Sequence, residues 1–473
     1  MPLFDIAVIG AGPGGYAAAL RGARKGARVC LVEQNRLGGT CLHRGCIPVK
    51  ALYGTARLLA GMRQLEEHGI RIEGFRFDLK KALRRKDKVV SGLEKGIEGL
   101  LKSAGVERIH GRAVLEGPNR IRINAKETIE TRSVIIATGA RPLIPAVLAK
   151  SPGMVLTSDD FLALESYPER LLVVGGGYIG CELAGIAALF GSRVTLVEQL
   201  PELLAGLDRQ AVREMEKSFR ELGIEVIKGS AVEGLGEGAS GVRVTLVGRR
   251  EKPEVDRVLV AAGRFPNSAG LGLEQAGVMT ENGAVRADAG MRTSLGNVFA
   301  IGDVTGILQL AHVADHQGEV AVENALGGNA EADYRIVPTA IFTFPEIAQV
   351  GLSEAQCRES QRDYLVGTFP YQASGKAQCD GDARGAARLL ASPSDGRLLG
   401  GTVFGAGASQ LIAEVAAAMR GGLTAGDVAH LIHAHPSLSE IIKETAADVL
   451  GASVHKAVRR GRPLEPTSGA RTE

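Results

Sequence analysis

Tryptophan is absent from the 473-residue sequence, and aromatic residues make up only 4% of it. That leaves little with which to build the stacking platforms that hold single-stranded nucleic acid. Charge of one sign is equally scarce, since 56 Lys plus Arg against 53 Asp plus Glu leave a formal +3. No basic field exists to neutralise a phosphate backbone, so no nucleic-acid partner is expected. No apolar run reaches the ~18 uninterrupted residues of a membrane span, so no membrane partner is expected either. Six Cys in a chain this long are too sparse for a disulfide framework. Four of them, Cys30, Cys181, Cys357 and Cys379, read as plain apolar or surface thiols. The opening MPLFDIAVIG runs straight into a buried-strand pattern with no secretory signal ahead of it, which points to a cytoplasmic location.

Glycine, by contrast, is abundant: 63 residues, nearly twice the usual ~7%, so backbone must approach something closely in several places. The 45% apolar content can fill about three cores at ~150 residues per domain.

One segment occurs twice. Residues 5–34 read DIAVIGAGPGGYAAALRGARKGARVCLVEQ, and 170–199 read RLLVVGGGYIGCELAGIAALFGSRVTLVEQ, at a constant offset of about 165. Gly10, Gly12, Gly15 and Glu33 fall on Gly175, Gly177, Gly180 and Glu198. Each copy is an apolar run ending in GxGxxG, an Ala-rich helical pattern and a second β-branched run closed by Glu, which is a βαβ unit. The first Gly allows the tight turn, the second lets a pyrophosphate touch the backbone, and the third lets helix and strand pack closely, with the helix N-terminus facing the phosphates. The Glu accepts from ribose hydroxyls. Two copies with the acidic residue at the same spacing predict two dinucleotides. Glu198 would repel a 2′-phosphate, and Gln199 to Leu204 offer no Arg to pair with one, which favours NAD over NADP.

Between the units comes GGTCLHRGCIPVKAL, residues 38–52. The spacing of Cys41 and Cys46 by itself favours neither metal nor redox use, and no second short-spaced pair completes a zinc site. On a regular helix positions five apart have Cα atoms roughly 8.6 Å from each other, beyond the ~7 Å a disulfide tolerates. If the sulfurs bond, the helix must be distorted. Gly45 permits that, and Pro48 disfavours a helical Ile47. An irregular first turn carrying a reducible disulfide is the expectation.

With these segments the chain resembles the flavoprotein pyridine-nucleotide disulfide oxidoreductases, most closely the branch that oxidises protein-bound dihydrolipoyl groups. The likeness extends through ATGARP at 137–142, AAGRFPN at 261–267, FAIGDV at 299–304 followed by LAHVA, PEIAQVGLSE at 345–354 and HAHPSLSE at 433–440. The resemblance implies an α/β fold of two Rossmann-like dinucleotide-binding domains plus an α+β C-terminal dimerisation domain. It makes the first unit the FAD site and the second the NAD site. Asp303 matches the residue that bonds the flavin ribitol, Thr40 and Lys50 match positions lining the flavin, and Glu182 matches the partner of Lys50 near the nicotinamide. Ala113, Gly139, Ala311 and Gly263 match further cofactor-binding positions. Read from spacing alone, Asp303 is equally a helix N-cap and Glu182 a solvated helix charge.

The resemblance further implies that Cys41 is the interchange thiol attacked by substrate and Cys46 the thiolate facing the flavin. Because the attacking dithiol is mostly protonated at neutral pH, a base is needed. His435 and Glu440 match the family's catalytic pair, supplied across a homodimer, while His433 carries no role. Electrons pass from dihydrolipoyl group to the Cys pair, then to FAD and on to NAD. The implied partner is a lipoyl-bearing acyltransferase or a glycine-cleavage carrier. The expected organisation is an FAD-binding domain over 1–145, an NAD-binding domain over 146–264, a central segment over 265–337 completing the FAD site, an interface domain over 338–460 and a solvated tail over 461–473. The run KKALRRKDK at 80–88 reads as an exposed helix face. His43 and Val49 depart from the Asn and Ser or Thr common in the family. The alternatives are another NAD(P)H-linked disulfide reductase of the same family, or an FAD- and NAD-binding sensor without turnover.

Overall fold

The computed structural model describes residues 3–124, 127–151 and 153–456. The predicted tail 461–473 lies outside them. Strand β1 (Leu3–Ile9), helix α1 (Pro13–Arg24) and strand β2 (Val29–Glu33) form the first βαβ unit. The strands pair in parallel with Ile6 opposite Val29 and Ile9 opposite Val32. Both are apolar on successive residues because both faces of a parallel sheet are covered. Small residues on α1, among them Gly14, Gly15, Ala18 and Ala19, are buried, which lets the helix lie close to the sheet.

The first sheet runs in the order Glu107–His110, β2, β1, Glu127–Ile136, Arg120–Ile123, Ala113–Gly117. A strand from much later in the chain, Val298–Ala300, pairs in parallel with Glu127–Ile136. The second sheet holds the duplicated unit, ordered Glu225–Lys228, Arg193–Glu198, Arg170–Val174, Arg257–Val260, Val155–Thr157, all parallel. A third, five-stranded antiparallel sheet between Thr339 and Phe404 packs its apolar residues against helices Ala408–Arg420 and Glu440–Val449. Two Rossmann-like units and an α+β C-terminal domain are therefore the observed architecture. Among the described residues no helix is long and apolar enough to cross a membrane, and no group of three or more His, Cys, Asp or Glu could hold a metal ion.

After β2 the chain forms α2 (Gly39–Arg44) and α3 (Cys46–Gly61), separated only by Gly45. A Cβ at Gly45 would lie 3.1 Å from the Thr40 carbonyl oxygen, so the break uses the missing side chain. The distortion stops there, against the expectation at Ile47, which is helical. Pro48 falls in the first turn of α3, where N–H groups have no helical acceptor, so its missing donor costs nothing. Helix α4 (Leu79–Ser103) begins at Asp78, whose side chain accepts from Lys81 N at 2.9 Å. Its basic run is exposed at Lys80, Lys81, Arg84, Arg85 and Lys88, but Lys86 is buried and donates to the Leu162 carbonyl at 2.8 Å. The expected solvated face is thus broken by one inward cation.

Candidate active site and cofactor cleft

The two glycine loops show what each glycine is for. A Cβ at Gly10 (φ +102°) would lie 2.4 Å from the Ala137 carbonyl oxygen, and one at Gly15 would lie 1.9 Å from that of Gly10. In the second unit a Cβ at Gly175 (φ +108°) would lie 2.4 Å from the Ala261 carbonyl oxygen, and one at Gly180 would lie 1.9 Å from that of Gly175. These four are demanded by the protein's own packing. Gly12 and Gly177 differ, since a Cβ there would meet nothing within 4 Å. The space they leave open would admit a ligand, and each is the N-cap of its helix, where N–H groups and the helix dipole favour phosphate.

The acidic ends of the units also correspond. Glu33 accepts from Ala11 N at 2.7 Å and Asn35 N at 2.7 Å. Glu198 accepts from Gly176 N at 2.6 Å and Leu200 N at 2.8 Å. Each carboxylate is fixed by its own loop and keeps lone pairs for a ribose hydroxyl. The residues present fit a dinucleotide in each unit.

The first loop opens into a cleft of about 1570 Å³, larger than the ~300–1,000 Å³ of ordinary small-molecule sites. Gly10, Gly12, Gly15, Glu33, Thr40, Cys41, Cys46, Lys50, Ala113, Gly139, Glu182, Asp303 and Ala311 all line it. Residues from 9 to 413 thus converge on one space. Gly175, Gly177, Gly180, Glu198 and Gly263 do not line it, although Tyr178 and Ile179 of the second loop do.

Cys41 and Cys46 are free thiols here, with Cys41 hydrogen-bonded to Cys46. The expected bridge is not formed in this structure, although the two sulfurs stand within hydrogen-bond reach. The hydrogen bond, and then the charge of Lys50, lower the Cys46 thiol from 9.0 to about 7, against desolvation, while Cys41 is pushed up. Of the two, Cys46 is the sulfur that ionises more readily. Lys50 Nζ donates to both Glu182 oxygens, at 2.9 and 2.8 Å, and lies 4.6 Å from the centroid of Phe342. Phe342 N also donates to Glu182, at 2.9 Å. Glu182, which spacing alone would leave in solvent, is buried. Three segments, α3, helix Tyr178–Leu189 and the strand loop at 342, thereby hold one cation beside the thiol pair.

Asp303 sits in the short helical turn Gly302–Thr305. Burial pushes its carboxyl up, against the opposing pull of Arg264, whose Nε is 3.9 Å away. Arg264 also donates to the Ala140 carbonyl at 2.6 Å. Arg264, Ser158, Lys86 and Tyr178 line the cleft as well, and sequence reasoning missed all four; Arg264 and Tyr178 had a signal, inside AAGRFPN and the second glycine loop.

His435 Nδ1 lies 2.9 Å from Glu440 Oε1, and Ser437 N donates to Glu440 Oε2 at 2.9 Å. The His435 side chain is 79% exposed, and among the described residues none beyond Ala413 lines the cleft. Within one chain the pair and the thiols are not brought together. His433 is not idle, as its Nε2 lies 2.7 Å from Glu414 Oε1.

Residues 4–318 match the family model for pyridine nucleotide-disulphide oxidoreductases, and 337–446 match its dimerisation domain, which supports a homodimer. A dihydrolipoyl dehydrogenase of Chlamydia muridarum is 39% identical over 96% of this chain and 98% of its own. One of Geobacillus stearothermophilus is 40% identical over 95% and 96%. Among solved structures, LpdA of Mycobacterium tuberculosis superposes with a TM-score of 0.87 at 29% identity, covering 94% of this chain and 99% of that one. The Cu(II) complex of the HOCl-induced flavoprotein disulfide reductase RclA of Escherichia coli gives 0.85 at 30%, with the same coverage. The glycine loops, the paired thiols and likeness along nearly the full length agree: the chain belongs to the pyridine nucleotide-disulphide oxidoreductases, in the dihydrolipoyl dehydrogenase family, and is an enzyme that uses FAD and NAD in disulfide chemistry.

Proposed function

We propose that this enzyme oxidises protein-bound dihydrolipoyl groups to lipoyl, with NAD+ as final acceptor. The observation that carries the reading is the Cys41–Cys46 pair at the split helix, the two sulfurs hydrogen-bonded to each other beside the Lys50 cation. In the oxidised enzyme one substrate thiolate attacks Cys41 Sγ, forming a mixed disulfide and releasing Cys46 as thiolate. The second substrate thiolate attacks its own sulfur in that mixed disulfide, closing the lipoyl ring and releasing Cys41. Lys50 lowers the cost of the charge left on Cys46. His435 takes the proton of the first substrate thiol, with Glu440 fixing its tautomer and stabilising the cation, and the proton of the second ends on Cys41 as that sulfur leaves. Because the pair stands apart from the thiols within a chain, His435 and Glu440 of one protomer serve the thiols of the other. FAD supplies two-electron carriage between the thiol pair and NAD.

Gly10, Gly12, Gly15, Glu33, Thr40, Lys50, Ala113, Gly139, Asp303 and Ala311 hold FAD in this reading, and Gly175, Gly177, Gly180, Glu182, Glu198 and Gly263 serve NAD. The segments 1–145, 146–264, 265–337 and 338–460 are their units. The substrate arrives on a lipoyl-bearing acyltransferase or a glycine-cleavage carrier. Anaerobic addition of dihydrolipoamide and NAD+ to the purified protein should give steady NADH formation. Binding of both cofactors without turnover would instead favour a sensor.

A further inference from the structure

Gln317, on the helix Ala311–Ala325, is fully buried and does not line the cleft. A buried amide destabilises the fold unless its donors and acceptor are matched, and here the partners fix which atom is which. Gly302 N donates to Gln317 Oε1 at 2.6 Å; a backbone N–H only donates, so the amide oxygen is the atom that faces it. Nε2 donates to the Tyr334 hydroxyl at 2.8 Å, and that hydroxyl donates in turn to Met291 Sδ at 3.8 Å. What the amide grips is the residue before Asp303. Gly302 has a left-handed φ of +73°, its carbonyl accepts from Thr305 Oγ1 at 2.8 Å, and Asp303 follows it into the cleft. Ala314, Gln317 and Gly318 share one face of the helix by their spacing. Ala314 and Gly318 meet Gly14 of the first glycine loop, and a Cβ at Gly318 would lie 3.0 Å from the Gly14 carbonyl oxygen. One helix face thus touches both the glycine loop and the turn that carries Asp303.

We infer that Gln317 is a positioning residue for the flavin dinucleotide: through Gly302 N it fixes the Asp303 carboxylate relative to the first glycine loop, so that a single helix spaces the group that meets the ribitol from the backbone that meets the pyrophosphate. The inference rests on this cleft being the FAD site and on Asp303 meeting the ribitol. Gln317 itself touches no cofactor and acts only through Asp303.

The test follows the rate at which the diluted holoenzyme releases FAD, read as recovery of flavin fluorescence. Gln317→Met keeps the volume and removes the acceptor of Gly302 N, and should release FAD about tenfold faster, the worth of one buried hydrogen bond. Tyr334→Phe loosens the amide from its far side and should speed release about threefold; it keeps the ring, so it decides where Gln317→Met fails to fold. A general loss of packing would also speed release, so the deciding readout is a double-mutant cycle with Asp303→Ala. With the carboxylate gone nothing is left to position, and either substitution should then change release by less than about twofold. Release as slow as in the wild type for both single variants, or the full acceleration persisting without Asp303, overturns the inference alone. An Asp303→Ala protein that holds FAD as long as the wild type overturns the ribitol assignment beneath it, and a wild-type chain that purifies without FAD overturns the cofactor site as well.

Discussion

In the first βαβ unit a Cβ at Gly14 would lie 2.7 Å from the carbonyl oxygen of Ala314, on a helix that returns from residues 311–325 to cover the loop. In the second unit Tyr178, directly after the middle glycine, stays 39% exposed at the edge of the cleft. The loops themselves are nearly interchangeable: the same glycines, the same carbonyl approaches, the same Glu tied back to the backbone. What differs is the cover. A covered loop suits a nucleotide that stays, and an uncovered one suits a nucleotide that exchanges every turnover.

Substitutions at the two middle glycines break the comparison most sharply. Gly12→Val puts a side chain where phosphate approaches, so the purified protein should lack visible flavin absorbance and all activity. Retention of stoichiometric flavin would sink the assignment of the first loop. Cys41→Ser leaves both loops intact, so flavin and NAD binding should persist while dihydrolipoamide oxidation disappears in a steady-state assay. Gly177→Val should keep its flavin yet raise the KM for NAD+ by about a hundredfold, ~2.7 kcal/mol of lost binding. Equal loss of flavin in the Gly177 and Gly12 variants would mean the loops are not distinct in role.

Smaller effects sharpen the picture. Lys50→Met removes a charge that favours the Cys46 thiolate, so the thiolate titration, followed by ultraviolet absorbance of the reduced protein, should move from about 7 toward higher pH. A downward shift would contradict the role given to Lys50. Glu198→Ala removes the repulsion of a 2′-phosphate without supplying a cation, and should improve NADP use over NAD by only a fewfold. An unchanged preference in kcat/KM would move the discrimination elsewhere.

The loops were legible in the sequence because their chemistry is local. Gly10, Gly12, Gly15 and Glu33 lie within one unit, and spacing sets their geometry. The break between the cysteines was legible too, at Gly45, although the bias of Ile47 gave way because Pro48 sits in a first turn. Lys86 and Ser158 could not be read, since they reach the cleft from separate helices and nothing in their own windows marks an inward direction. Glu182 reads as a surface charge until α3 delivers Lys50 against it. His43 was visible only as an unusual residue; its Nε2 meets Leu37 and Glu94 only once α4 is packed beside α2.

The late strand Val298–Ala300, paired to Glu127–Ile136, has a consequence during synthesis. A ribosome that has released the first unit has made an incomplete nucleotide pocket, because Asp303 and Ala311 follow that strand and complete the lining. The nascent amino-terminal unit must wait through the whole second unit before its pocket can close, so about two thirds of the chain has been made before that lining is complete, after the second unit's own sheet.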